Sequence, residues 1–185
     1  GWRGIRVTLD HPEVLMVQLR AMLRAAEGLD NLRIMLPMIS GIEEVDAALA
    51  LVNRALVELA EEGINVSRPS LGVMIEVPAA LYQLEALATR VDFFSVGSND
   101  LTQYLLAVDR NNPRVASLYD ACHPAVLRAL ARLAEESRAL KMPVSVCGEL
   151  AGDPAGFEVF VIASVLVSVS FAPNTRAAAT FSRLS

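Results

Sequence analysis

Phe94-Ser95-Val96-Gly97-Ser98-Asn99-Asp100-Leu101-Thr102-Gln103-Tyr104 opens as an apolar strand, turns on a glycine and sets an amide beside a carboxylate. A helix-compatible run follows directly. Where strands and helices alternate in a barrel, strand ends are the places that carry chemistry. Two further segments share this layout, Gly72-Val73-Met74-Ile75-Glu76-Val77-Pro78 and Val144-Ser145-Val146-Cys147-Gly148-Glu149. Strand ends bearing Glu76, Asn99-Asp100 and Cys147 are harder to obtain by chance than any one of them alone.

Outward from these segments the same cycle recurs. Asp10-His11-Pro12-Glu13 reads as a helix start, with a capping carboxylate and a proline in the first turn. Leu15, Leu19, Met22, Leu23 and Ala26 share one helical face, and Gly28 closes that helix. Leu32 to Ile39 is an apolar strand. Ser40-Gly41-Ile42-Glu43 has the form of a capping box, followed by a buried stripe of Val45, Leu49, Val52, Leu56 and Leu59. The pattern then predicts a strand over 71–77, a helix over 79–90, a strand over 91–96 and a short helix over 101–107.

Residues 108–124 form the longest irregular connection, and a loop of that length in a compact domain is usually functional. A helix over 125–140, a strand over 144–147, a helix from 155, a strand near 165–171 and a weak helix from about 175 complete the chain. Five strand-plus-helix units imply a parallel sheet with right-handed crossovers. An open doubly wound sheet would satisfy that order, but no Gly-x-Gly-x-x-Gly turn marks a nucleotide fold. Part of an eight-stranded barrel also explains why successive strands end in reactive side chains.

Composition sets the outer bounds. The 185 residues suffice for one domain, and 54% hydrophobic with 5% aromatic residues suits strands buried on both faces by helices. A net charge of −5 with no basic stripe gives nucleic-acid binding no support. The polar-poor run 157–171 carries Glu158 and is too short to span a bilayer. No secretory leader pattern begins the chain, and two cysteines are no disulfide framework, so a reducing cytoplasm is the expected compartment. The start at Gly1, with no methionine and a helix within about ten residues, reads as a piece of something longer.

Each reactive residue has an ordinary explanation beside the chemical one. Glu76 and Asp100 offer hard oxygens suited to Mg²⁺, while either alone is more commonly a helix-terminal acid. Glu76, followed by Val77-Pro78, does not stand at an N-cap. Asn99 can donate to an anionic oxygen or simply tolerate a turn. Arg110 has the fork that matches phosphate, or pairs with Asp109 on the surface. Cys147 can give a proton to an enolate, although lone thiols are more often buried and inert. Cys122 takes the inert reading, and no chemistry is assigned to His11 or His123.

Taken together, the motifs resemble the C-terminal domain of the phosphoenolpyruvate-utilising enzymes. Within that group they are most similar to Enzyme I, the phosphoenolpyruvate–protein phosphotransferase of the bacterial phosphotransferase system. The resemblance rests on Gly1-Trp2-Arg3-Gly4-Ile5-Arg6, Leu32-Arg33-Ile34-Met35-Leu36-Pro37-Met38, the run from Gly97 to Tyr104, Ala107-Val108-Asp109-Arg110 and the run from Cys147 to Asp153. Thr8-Leu9-Asp10-His11-Pro12 and Arg110-Asn111-Asn112 look most like the nitrogen-related branch. The match runs from Gly1 to about Gly156, and residues 157–185 match weakly.

This resemblance implies an α/β fold, a (β/α)₈ TIM-type barrel of which the last five units are present and the first three strands missing, forming one partial domain over 1–185. It implies a Mg²⁺ cofactor held by Glu76 and Asp100. Asn99, Asp100, Arg110 and Arg3 would contact substrate, and Cys147 would protonate the enolate to give pyruvate. The implied enzyme moves the phosphoryl group of phosphoenolpyruvate to an enzyme histidine and on to an HPr-like phosphocarrier protein. It would be a cytoplasmic homodimer with no nucleic acid and no membrane. Ser98 stands where the family usually has threonine, and the chain has no counterpart of the substrate-binding arginines on the first strands or of the phosphohistidine domain. Alternatives are a non-catalytic dimerisation or regulatory piece, a truncated product, or the barrel of a pyruvate phosphate dikinase or phosphoenolpyruvate synthase.

Overall fold

The computed structural model describes residues 1–148 of the chain. The chain divides into two compact units, Gly1–Phe94 and Ser95–Ser185. In the first unit, α1 (Ile5–Asp10) and α2 (Pro12–Ala25) precede β1 (Arg33–Leu36), α3 (Ile42–Glu61) and β2 (Ser70–Ile75). A 3₁₀ turn, Pro78–Tyr82, and α4 (Leu84–Ala88) lead to β3 (Phe93–Gly97), within which the division falls. β1 and β2 are parallel, with Arg33 opposite Ser70 and Leu36 opposite Val73. The Asp92 amide donates to the Leu71 carbonyl at 2.7 Å, which brings the start of β3 beside β2.

The core of this unit follows from helix periodicity. Leu15, Met16, Leu19 and Leu23 of α2 meet Val52, Ala55 and Leu59 of α3 over Ile34 of β1 and Leu71 of β2. Each fully buried Leu or Ile contributes about 1.5–3 kcal/mol relative to exposure. Ala48 and Ala55 occupy the centre of the α3 stripe, whereas Leu49 and Leu56, expected there, are only half-buried. The stripe Val45, Ala48, Val52, Ala55, Leu59 keeps the helical three–four spacing, and its small alanines sit where α3 faces the core.

Three local expectations are corrected. Asp10 does not cap α2; it ends α1, and its Oδ2 accepts from Trp2 Nε1 at 2.6 Å, leaving His11 at the cap. At α3 the box carboxylate is Glu44, not Glu43: its Oε2 accepts from the Ser40 and Gly41 amides at 2.6 and 3.2 Å. Gly41 is the N-cap, so the acid three positions on is the one with reach. The single helix expected over 79–90 is interrupted at Gln83. Its backbone leaves helical dihedrals (φ −131°), while its side-chain amide donates to the Ser40 carbonyl at 2.8 Å.

In the second unit the remainder of β3 passes directly into α5 (Ser98–Leu106). A 3₁₀ turn, Ala116–Leu118, then precedes α6 (Pro124–Ala139) and β4 (Val144–Cys147). α6 begins on His123, whose Nδ1 accepts from the Ala125 amide at 3.1 Å, with Pro124 in its first turn. It buries Val126, Leu130, Leu133 and Ala134 and packs against α5. The long loop is locally braced, because Asp109, Asn112 and Asp120 each accept a backbone amide two residues on. The helix expected from 155, the strand near 165–171, the helix from 175 and the weakly matching segment 157–185 all lie outside the described residues.

Candidate active site

Glu76 follows the last residue of β2 and is 3% exposed. Its Oε1 accepts from the Met38 backbone amide at 2.6 Å. Met38 lies just beyond β1 and is itself buried in the left-handed region, at φ 60°. That conformation is costly for a side chain with a Cβ, and here it aims the amide at the carboxylate. Gly4 makes room for it: at φ 59°, a Cβ on Gly4 would lie 2.8 Å from Met38 Cγ. The Ile5 amide donates to the Pro37 carbonyl at 3.3 Å, so the exposed Arg3 is carried close to the same strand end. The first unit thus gathers Arg3, Met38 and Glu76.

The second unit gathers the rest. Asn99, half-buried, and Asp100, 8% exposed, stand in the first turn of α5. An acid there meets the positive end of the helix. Ser98 Oγ donates to the Cys147 carbonyl at 2.9 Å, fixing the end of β4 beside the start of α5. Gly148 follows at φ 104°, where a Cβ would clash with Ser98 Oγ and lie 3.0 Å from Asn99 Oδ1. The Cys147 thiol is partly buried and donates to the Val96 carbonyl at 3.2 Å.

Arg110 is brought to its place by the end of α5. Ala107 terminates that helix in the left-handed region, and Gln103 Oε1 accepts the Arg110 amide at 3.1 Å. Its Nη1 is buried and has no hydrogen-bond partner among the described residues. A buried guanidinium N–H left unmade costs more than an ordinary hydrogen bond gains, so the position suits a ligand oxygen. Asp109, the alternative surface partner, accepts from the Asn111 amide.

Among the described residues no three His, Cys, Asp or Glu side chains cluster as a metal site. Mg²⁺ does not require such a cluster, since one or two carboxylates suffice when water and phosphate complete its shell. The donor types of Glu76 and Asp100 therefore fit it. Cys122 is exposed in the loop and stands apart from this chemistry. Sequence reasoning missed Met38, Ser98 and Gln103, which act through a backbone amide, a strand-end clamp and a loop brace.

The profile of one family, described as "PEP-utilising enzyme, PEP-binding domain", matches residues 1–180. The chain belongs to that family. A Salmonella typhimurium relative of this PEP-binding domain, named "Phosphoenolpyruvate-dependent phosphotransferase system", is 55% identical over 155 residues, covering 83% of this chain and 21% of the relative. The Haemophilus influenzae "Phosphoenolpyruvate-protein phosphotransferase" is 46% identical over 154 residues, covering 83% of this chain and 27% of the relative. The PEP-binding chain thus spans about a fifth to a quarter of the length of these relatives. Malate synthase of Haloferax volcanii, solved as a pyruvate/acetyl-CoA complex, superposes with a TM-score of 0.59 at 15% identity, over 89% of this chain and 46% of that one. That likeness concerns the fold, an α/β architecture of TIM-barrel type with a parallel sheet. Among the described residues no helix is long and apolar enough to cross a membrane.

Proposed function

We propose that this PEP-binding domain serves a phosphotransferase of the Enzyme I type, in its nitrogen-related branch. That enzyme would take the phosphoryl group of phosphoenolpyruvate onto a histidine outside this chain and pass it to an HPr-like carrier. The Nη1 of Arg110, buried and without a hydrogen-bond partner among the described residues, carries the reading, because a buried guanidinium N–H is matched by a phosphate oxygen. Family membership and the named phosphotransferase relatives supply the reaction class.

In this reading Arg110 and Asn99 hold the phosphate end of the substrate, with Arg3 as a further anion contact. Asp100 and Glu76 offer carboxylate oxygens to Mg²⁺, which would supply charge neutralisation at the phosphoryl oxygens. The hydrogen bond donated by the Met38 backbone amide to Glu76 Oε1 fixes that carboxylate's orientation before substrate arrives. Once the phosphoryl group leaves, the enolate's C2–C3 electron pair takes the proton of the Cys147 thiol, forming the C3–H bond of pyruvate and leaving the negative charge on sulfur. The protein would act in the cytoplasm as a homodimer.

Titration of phosphoenolpyruvate with Mg²⁺ into the intact protein tests this. Arg110→Ala removes a charged hydrogen-bond donor and is expected to weaken binding roughly 10–100-fold. Glu76→Gln is expected to abolish the Mg²⁺ dependence. Binding unchanged by Arg110→Ala would reject the assignment and favour a non-catalytic dimerisation piece.

A further inference from the structure

A chain of hydroxyls leads to the Cys147 sulfur. Ser145 Oγ donates to Ser95 Oγ at 3.1 Å, and Ser95 Oγ donates to Cys147 Sγ at 3.8 Å. The thiol in turn donates to the Val96 carbonyl at 3.2 Å. The arrangement follows from strand register. Ser145 and Cys147 are two apart on β4 and so project from one face of it, and Ser95 of β3 contacts both. Ser95 is 3% exposed, whereas Ser145 is half-buried. A buried hydroxyl is costly unless it is hydrogen-bonded, and the Ser95 hydroxyl is held between Ser145 and the thiol.

We infer that Ser95 and Ser145 are positioning residues for Cys147, receiving the charge left on sulfur when the thiol gives up its proton. The inference rests on the reading of Cys147 as the proton donor to the enolate. When the S–H bond breaks, its electron pair stays on sulfur, and the Ser95 O–H then donates to a thiolate, a stronger acceptor than the neutral thiol. The proton is restored in the reverse sense. Ser95 passes its proton to sulfur, Ser145 replaces it on Ser95, and solvent at the half-buried Ser145 replaces that one. Hydrogen bonding to the charged form lowers a thiol's pKa, so losing the Ser95 hydroxyl raises it.

The test uses the intact protein carrying Cys122→Ser, which removes the exposed second thiol of this chain, with any cysteines elsewhere in the protein also replaced. The pH dependence of Cys147 alkylation by iodoacetamide is measured. Ser95→Ala is expected to move the midpoint up by about one pH unit, which below the midpoint is roughly a tenfold slower reaction. Ser145→Ala gives a smaller upward shift, and Ser95→Thr, which keeps the hydroxyl, restores the parent profile. A Ser95→Ala variant with an unaltered melting temperature and an unmoved midpoint overturns the inference. Exchange of pyruvate C3 protons with deuterium, followed by NMR, checks the underlying reading separately. Exchange that survives Cys147→Ala overturns the proton-donor assignment and the inference built on it. Exchange lost in Cys147→Ala with no midpoint shift in Ser95→Ala overturns the inference alone.

Discussion

Replacing Gly148 by alanine probes the joint on which the second unit's site depends. Two costs are separable there. The backbone is at φ 104°, a region that L side chains avoid, and forcing a Cβ into it costs about 1–3 kcal/mol. The added Cβ would also strike Ser98 Oγ and crowd Asn99 Oδ1 at 3.0 Å. Such overpacking costs about 1–3 kcal/mol. The sum is about 2–6 kcal/mol, and for a chain of 185 residues this lowers the melting temperature by roughly 4–24 °C.

A double-mutant cycle with Ser98→Ala divides the total. Ser98→Ala alone loses the bond to the Cys147 carbonyl, about 0.5–1.5 kcal/mol, yet it also removes the atom that the new Cβ meets. The double variant should therefore be more stable than the sum of the singles by about 1–2 kcal/mol, well beyond the 0.3–0.5 kcal/mol scatter of independent sites. Thermal melts followed by circular dichroism measure all four corners. A Gly148→Ala protein melting within about 1 °C of the parent refutes the strain argument, and an additive cycle refutes the contact with Ser98.

The Arg–Glu network between α2 and α3 predicts an acid-sensitive increment of stability. Arg54 and Arg20 hold Glu58 and Glu62 below the usual carboxylate range, chiefly through the Arg54 bond to Glu58 and the Arg20 bond to Glu62. A depressed folded-state pKa stabilises above the unfolded value and is lost as pH falls from about 4.5 through the folded value. Melting temperatures of the parent and of Glu58→Gln/Glu62→Gln should differ at pH 7, approach one another as the pH falls below about 4.5, and converge at pH 7 in molar salt; a difference independent of pH contradicts the network. In the first unit, Gly72→Ala would drive a Cβ against the edge of the Phe93 ring, whose centroid lies 4.0 Å from the Arg33 guanidinium. It is expected to destabilise by about 1–3 kcal/mol, with Phe93→Leu in the same chain recovering most of the loss; chemical denaturation of both variants decides.

What was readable along the chain was what repeats or has a direct side-chain signature. β4 appeared where alternation put it, at Val144–Cys147, and α6 began on the histidine–proline pair one residue ahead of the expected span. The helix over 79–90 was misread because its periodicity was sound. A long-range bond from Gln83 to Ser40 broke it, and no window of local sequence contains both partners. The capping carboxylate was misplaced by one residue for a similar reason, since two adjacent glutamates differ only in which one reaches back.

Phe94 to Tyr104 by itself determined a strand passing through a glycine into a helix, and hence that Asn99 and Asp100 stand at a strand end. It did so because alternation, turn chemistry and helix propensity are local properties of the chain. Tertiary structure alone decided what those residues meet. Only the fold brings Gly148 against Ser98 and Asn99, runs two hydroxyls from β3 and β4 to one sulfur, and turns the Met38 amide onto Glu76. These contacts join positions some forty to fifty residues apart. Their geometry is set by strand register and one left-handed backbone, neither of which is written in the residues that carry the chemistry.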